Sequence, residues 1–293
     1  MATAAQWIQG ARPRTLPAAI APVLIGSAAA YEMDAFRPVN AVLAALVALF
    51  LQIGVNFAND YSDGIRGTDE DRVGPLRLVG SGAAEPSLVK RAAFGAFGLA
   101  MLFGLVLVII TQAWWLILVG VGCVLAAWGY TGGKNPYGYL GLGDLFVFVF
   151  FGLVATLGTT YTQAGQVSLA AVIGAIGTGL IACALLMANN VRDIPTDTVA
   201  GKKTLAVRLG DKHARESYVL MLAVAILLVI VLAPAKPWML IVLLLIPASL
   251  MPSWLMIAGR RRKSLIPVLK QTGLINLGYA ALFSIGLVLS HGF

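Results

Sequence analysis

Nine stretches of this chain are apolar without the polar stripe of a surface helix, and they set its architecture. They run approximately over 16–31, 39–59, 92–110, 114–130, 142–161, 169–188, 218–233, 238–258 and 266–289. Each approaches the roughly 20 residues that a helix needs to cross a bilayer. None alternates with period 2, which excludes a transmembrane β-barrel. The pattern therefore predicts an all-α, polytopic protein of nine transmembrane helices, forming one transmembrane domain over residues 1–293. The first run is punctuated by Pro17 and Pro22, and the last carries Lys270 near its start. Two connections are long and polar, 60–90 and 192–215.

Composition agrees with the pattern. The chain is 59% hydrophobic and 12% charged, where a soluble domain has about 25% charged residues. Cys123 and Cys183 both fall inside apolar runs, so no disulfide framework is expected. No small-residue cleavage site follows the first run, so it is expected to remain as a membrane segment.

Charge fixes the orientation. With the N-terminus cytoplasmic, 19 of the 21 Lys and Arg fall in inside connections, and only Arg37 and Lys236 fall outside. That asymmetry predicts a multi-pass cell-membrane protein with its C-terminus on the outer side. The net charge of +8 is thus a topology signal, and no basic soluble face exists for nucleic acid. Eleven of the 13 Asp and Glu also lie on the cytoplasmic side, where orientation does not require them.

Those acids concentrate in two constellations. After the second run, Asn56, Asp60 and Asp63 are spaced i, i+4, i+7, with Asn59 beside them. After the sixth, Asn189, Asp193 and Asp197 are spaced i, i+4, i+8, with Asn190 adjacent and Pro195 expected to kink or end the helix. Asn56 and Asn189 are 133 positions apart, as are Asp60 and Asp193. An offset of four helices brings both to one side, which suggests two four-helix units and a ninth helix around a cytoplasm-facing cavity. Carboxylates at a membrane boundary are expected to face such a cavity. Asp60, Asp63, Asp193 and Asp197 are hard oxygen ligands of the kind that hold Mg²⁺ shared with phosphate. Arg66, Arg72 and Arg77 follow the first group; Arg192, Lys202, Lys203 and Arg208 surround the second. Carboxylates for metal beside cations for phosphate read as a diphosphate site. Lys134, with Tyr130 and Tyr139, occupies the short Gly-rich turn between the fourth and fifth runs and is expected near the head groups. That turn is not a Walker A loop. Asp144, just inside the fifth run, is a further intramembrane acid.

These segments resemble the UbiA-type intramembrane prenyltransferases. The resemblance is carried by R-P-R-T-L-P from Arg12, N-D-Y-S-D-G from Asn59 and R-V-G-P-L-R-L-V-G-S-G from Arg72. N-N-V-R-D-I-P-T-D from Asn189 and G-K-K-T-L-A-V-R-L-G from Gly201 complete it. It departs from the family pattern at Gly67, where a third acid is usual; Asp69, Glu70 and Asp71 come slightly later. The resemblance implies a nine-helix fold and Mg²⁺-dependent transfer of a polyprenyl group from polyprenyl diphosphate. Within the family it is strongest to the branch whose acceptor is 1,4-dihydroxy-2-naphthoate, prenylated with loss of CO2 on the way to menaquinone. The alternatives are another aromatic acceptor, such as 4-hydroxybenzoate or haem, and, in a different class, a cation-coupled transporter.

Overall fold

The computed structural model describes residues 2–67 and 76–291, and among these every regular element is helical. A short helix α1 (Ala4–Gly10), closed by a capping box between Thr3 and Gln6, precedes the apolar helices. These are α2 (Leu16–Glu32), α3 (Pro38–Gly64), α4 (Pro86–Thr111) and α5 (Leu116–Gly129). They continue as α6 (Gly143–Ala164), α7 (Leu169–Val199), α8 (Leu205–Leu232), α9 (Pro237–Ile257) and α10 (Arg262–Ser290). Seven are long and apolar enough to cross a bilayer; α2 and α5 are shorter apolar helices. The protein is a multi-pass membrane protein.

Local chemistry sets several ends. Proline opens α3, α4 and α9, where its missing N–H has no acceptor to disappoint. The hydroxyls of Ser168 and Thr204 accept from Ala171 and Val207 N–H and so start α7 and α8. The outward faces are bare aliphatic surface, with Leu118, Leu125, Leu220 and Leu250 all exposed, as suits helices solvated by lipid.

α7 is the most buried of the long helices, and small residues let its neighbours approach. A Cβ on Gly152 would lie 2.7 Å from Gly179 Cα, so the π-helical stretch of α6 (Phe148–Val154) meets α7 backbone to backbone. A Cβ on Gly177 would lie 1.9 Å from the hydroxyl of Tyr279 on α10. Polar groups lace α2, α3 and α6 at the end remote from Asp63. Asn40 Nδ2 donates to Thr162 O (2.6 Å), Gln163 Nε2 to Ser27 Oγ (3.1 Å) and Thr160 Oγ1 to Gly26 O (3.1 Å). At the same end Lys236 Nζ pairs with Glu32 at 2.6 Å, joining the chain before α9 to α2. Arg37 and Lys236, the two cations expected outside, therefore lie together at that end.

Candidate active site

The C-terminal ends of α3 and α7 line a cavity of about 2890 Å³. Much of its wall is apolar, including Val47, Leu51, Val124, Phe146 and Phe150. Its ionisable groups come largely from the C-terminal ends of α3 and α7 and the connections beside them.

On α7 the expected face is present. Asn189, Asn190, Asp193 and Asp197 all line the cavity. The helix runs four residues past Pro195, to Val199, rather than ending there. Hydroxyls serve the carbonyls of this last stretch: Thr196 Oγ1 donates to Asp193 O (2.9 Å) and Thr198 Oγ1 to Ile194 O (2.7 Å). Arg192 is buried and grips Asp193 with two bonds, Nε to Oδ1 at 2.7 Å and Nη2 to Oδ2 at 2.6 Å.

On α3 the face differs from the expected one. Asn56, Asn59, Asp63, Arg66 and Gly67 line the cavity, and Asp60 does not. At about 100° per residue, Asn56, Asn59 and Asp63 share an arc of about 60°, with Asp60 about 60° beyond Asp63. Asp60 instead accepts two backbone bonds, from Leu78 N–H at 2.7 Å and Val79 N–H at 3.0 Å, and is 1% exposed. The matching positions of the two helices are therefore Asn59 with Asn189 and Asp63 with Asp193, an offset of 130 rather than 133. In that register Gly67 is the counterpart of Asp197.

Asp63 is the hub of the polar end. Tyr139 Oη donates to its Oδ1 at 2.5 Å, Lys202 Nζ lies 3.4 Å from Oδ1, and Arg77 Nη2 lies 3.5 Å from Oδ2. Lys202 also sits 4.4 Å from the centre of the Tyr139 ring, and the Arg66 guanidinium 5.4 Å from it. Burial raises the Tyr139 pKa, and the charge of Asp63 and its hydrogen bond raise it further, so the phenol stays protonated. Burial alone would lower the Lys202 pKa, but Asp63, Tyr139 and Asp197 outweigh it and the net shift is upward. Asn59 Oδ1 accepts from the Thr131 hydroxyl at 2.8 Å. Arg66 donates to the carbonyls of Thr131 and Gly133, which ties α3 to the turn after α5. Tyr130 lines the cavity as expected.

Other expected residues stand elsewhere. Lys134 is exposed and off the cavity wall. Lys203 and Arg208 stitch the wall from behind: Lys203 N–H donates to Tyr139 O (2.9 Å), and Arg208 Nη2 to Leu140 O (3.0 Å). Arg72, with Asp69, Glu70 and Asp71, lies outside the described residues. Asp144 is buried off the cavity wall, its carboxylate oxygens without a hydrogen-bond partner. A polar row escaped the sequence reading: Arg12, Thr15 and Gln52 line the cavity beside Asn56. Thr15 Oγ1 accepts from Asn56 Nδ2 at 3.0 Å and from Gln52 Nε2 at 3.3 Å. The R-P-R-T segment was the available signal, because it places a cation and a hydroxyl immediately before α2.

The donor set fits Mg²⁺. Asp63, Asp193 and Asp197 supply carboxylates to one cavity, and Asn59, Asn189 and Asn190 supply amide oxygens. Among the described residues no three acids, histidines or cysteines cluster tightly enough to cage an ion alone. Mg²⁺ rarely asks for that; it is held by one or two carboxylates together with substrate phosphates and water.

The sequence profile of the UbiA prenyltransferase family matches residues 19–289. The chain belongs to the UbiA prenyltransferase family. Among its UbiA relatives, the 1,4-dihydroxy-2-naphthoate octaprenyltransferase of Mycobacterium tuberculosis is 54% identical over 280 residues, covering 96% of each chain. The enzyme of the same name from Escherichia coli is 42% identical, covering 74% of this chain and 72% of its own. The fold is that of solved UbiA homologues. The Aeropyrum pernix protein superposes with a TM-score of 0.70 at 17% identity, covering 92% of this chain and 97% of that one. The Archaeoglobus fulgidus protein, solved bound to DMAPP and Mg²⁺, gives 0.65 at 16% identity, covering 97% and 99%.

Proposed function

We propose that this chain transfers a polyprenyl group from polyprenyl diphosphate to 1,4-dihydroxy-2-naphthoate with loss of CO2, giving the quinol form of demethylmenaquinone for menaquinone biosynthesis. The observation that carries the chemistry is one cavity with Asp63, Asp193 and Asp197 and the cations beside them at one end of an apolar chamber. Prenyl transfer needs that polarity: a diphosphate head among charges and a long hydrocarbon tail among aliphatic side chains. The acceptor is supported by relatives of that name that match 96% of the chain.

Asp63, Asp193 and Asp197, with Asn59, Asn189 and Asn190, are the residues that would hold Mg²⁺, which when bound supplies Lewis-acid charge to the leaving diphosphate. Arg66, Arg77, Arg192 and Lys202 offer fixed positive charge to the same group as negative charge develops on it. Tyr130 and Tyr139 line the same cavity, and aromatic rings there favour the positive charge that grows on the reacting carbon. The allylic C–O bond breaks with its electron pair going to diphosphate. The ring carbon bearing the carboxylate forms the new C–C bond, and CO2 leaves with the pair returning to the ring. No proton is needed from the protein in that exchange. Lys203 and Arg208 hold the Tyr139–Leu140 wall rather than the substrate.

The membrane arrangement we infer has nine crossings, as two four-helix units and a ninth helix. The N-terminus and the charged end of the cavity are cytoplasmic, and the C-terminus is outside. Purified protein in detergent, given Mg²⁺, polyprenyl diphosphate and dihydroxynaphthoate, should form the decarboxylated prenyl naphthoquinol, identified by mass. EDTA should stop the reaction. Use of 4-hydroxybenzoate with the naphthoate ignored would overturn the acceptor. Absence of any product in detergent, where no gradient exists, would favour a transporter.

A further inference from the structure

Asp60 is the one acid of the α3 constellation that the cavity does not use, and its surroundings define a mechanical task. Its two oxygens take separate backbone N–H groups eighteen and nineteen residues downstream, at 2.7 Å from Leu78 and 3.0 Å from Val79. A carboxylate that accepts one N–H on each oxygen fixes a peptide segment in both position and rotation. The segment is wedged by side-chain packing against α1 and α3 as well. Leu78 is fully buried, and a Cβ on Gly10 of α1 would come within 2.7 Å of its side chain. Val79 lies so close to α3 that a Cβ on Gly64 would stand 2.4 Å from its Cγ1. Immediately before this fixed pair comes Arg77, which lines the cavity with its Nη2 3.5 Å from Asp63 Oδ2. The Arg77 carbonyl is itself held, accepting from Ser81 N–H at 3.0 Å and Ser81 Oγ at 2.5 Å.

We propose that Asp60 is a positioning residue: its carboxylate clamps the Leu78–Val79 backbone and thereby sets Arg77 beside Asp63 for the diphosphate, without itself ligating metal. The kinetic part rests on the diphosphate reading above, and the structural part does not. The N-D-x-x-D spelling thus hides two jobs. Asn59 and Asp63 face the substrate cavity, and Asp60, between them in sequence, faces the returning loop.

The test uses the full-length protein in detergent. Hydrogen–deuterium exchange without metal should show the Leu78 and Val79 amides exchanging about tenfold faster or more in Asp60→Asn, the size expected for losing a charge-assisted hydrogen bond. In Asp63→Asn those amides should stay protected, and peptides of α7 should be unchanged in both. Kinetically, Asp60→Asn should raise KM for polyprenyl diphosphate about tenfold while the Mg²⁺ concentration for half-maximal rate stays at the wild-type value. Gly64→Ala, one turn further along the same face of α3, pushes on Val79 of the same segment with the carboxylate intact. It should reproduce the higher KM, which a metal-ligand role for Asp60 does not predict. Wild-type protection of Leu78 and Val79 in Asp60→Asn would overturn the proposal. So would a raised Mg²⁺ requirement in Asp60→Asn with normal kinetics in Gly64→Ala. If the naphthoate proves not to be the acceptor, the exchange comparison still decides the clamp.

Discussion

Replacing Tyr139 by Phe isolates a single hydrogen bond at the centre of the site. The hydroxyl donates to Asp63 Oδ1 at 2.5 Å, and the Asp63 side chain is only 6% exposed, so little solvent is available to replace the lost donor. A hydrogen bond to a buried charge contributes about 1.5–3 kcal/mol. The Phe ring keeps the cation–π contacts of Lys202 and Arg66, each worth about 0.5–1 kcal/mol. Taking about 2 kcal/mol for the hydroxyl, and about 1.4 kcal/mol per factor of ten, kcat/KM should fall up to about thirtyfold. Tyr139→Leu removes the ring and both contacts as well, about 1–2 kcal/mol together, and should cost about a further five- to thirtyfold. The assay is initial-rate formation of prenylated product at saturating Mg²⁺, with polyprenyl diphosphate varied. Tyr139→Phe within twofold of wild type would show that Asp63 does not depend on this donor. A Leu variant no worse than the Phe variant would remove the ring from the account.

Other expectations follow from the same geometry. Asp63→Asn should lower turnover at least about a hundredfold and raise the Mg²⁺ concentration for half-maximal rate, because it removes the hub carboxylate; unchanged Mg²⁺ dependence would exclude Asp63 as a ligand. The pKa values of Tyr139 and Lys202 are both raised above their ordinary 10.0 and 10.5. Their proton-bound forms are therefore complete below those values and lost as pH rises through the shifted ones. A pH–rate profile should accordingly show no alkaline decline from this pair below about pH 10, and a falling limb between 8 and 9 that disappears in Tyr139→Phe would contradict the shift. Tyr279 is fully buried and its hydroxyl has no hydrogen-bond partner. Tyr279→Phe should thus leave stability unchanged or raise it by about 1 kcal/mol, read as thermal midpoint in detergent, and a marked fall would reveal an unseen partner.

The apolar runs were legible because lipid-facing helices need no amphipathic code, and the structure places an apolar helix at each. The α7 face was equally legible: a helix continued past Pro195 brings Asn189, Asp193 and Asp197 onto one stripe whatever surrounds it. The α3 face was not. Asp60 and Asp63 both fit a helical stripe, and only the path of the chain after α3 determines which of them meets the Leu78 and Val79 amides. Spacing carries no information about a loop that returns eighteen residues later. The links from Thr131 to Asn59 and from Tyr139 to Asp63 were hidden for the same reason, since the partners are more than seventy residues apart. Lys134 looked like the working residue of its turn because it is the cation there, yet its neighbours Thr131 and Tyr139 are the ones that reach α3.

The lacing of Asn40, Thr160 and Gln163 at the remote ends of α2, α3 and α6 gives the chamber a floor, and Thr159 and Thr162 line the wall there. Leu102, Leu105 and Val121, exposed on the outer faces of α4 and α5, also border the chamber, so its apolar wall reaches the lipid from the side. Incoming and outgoing tails then compete for the same space, so the spent chain must slide back into the surrounding lipid before a fresh one can thread in. Where that exchange of hydrocarbon across the rim limits turnover, the viscosity of the bilayer becomes a kinetic variable of the enzyme.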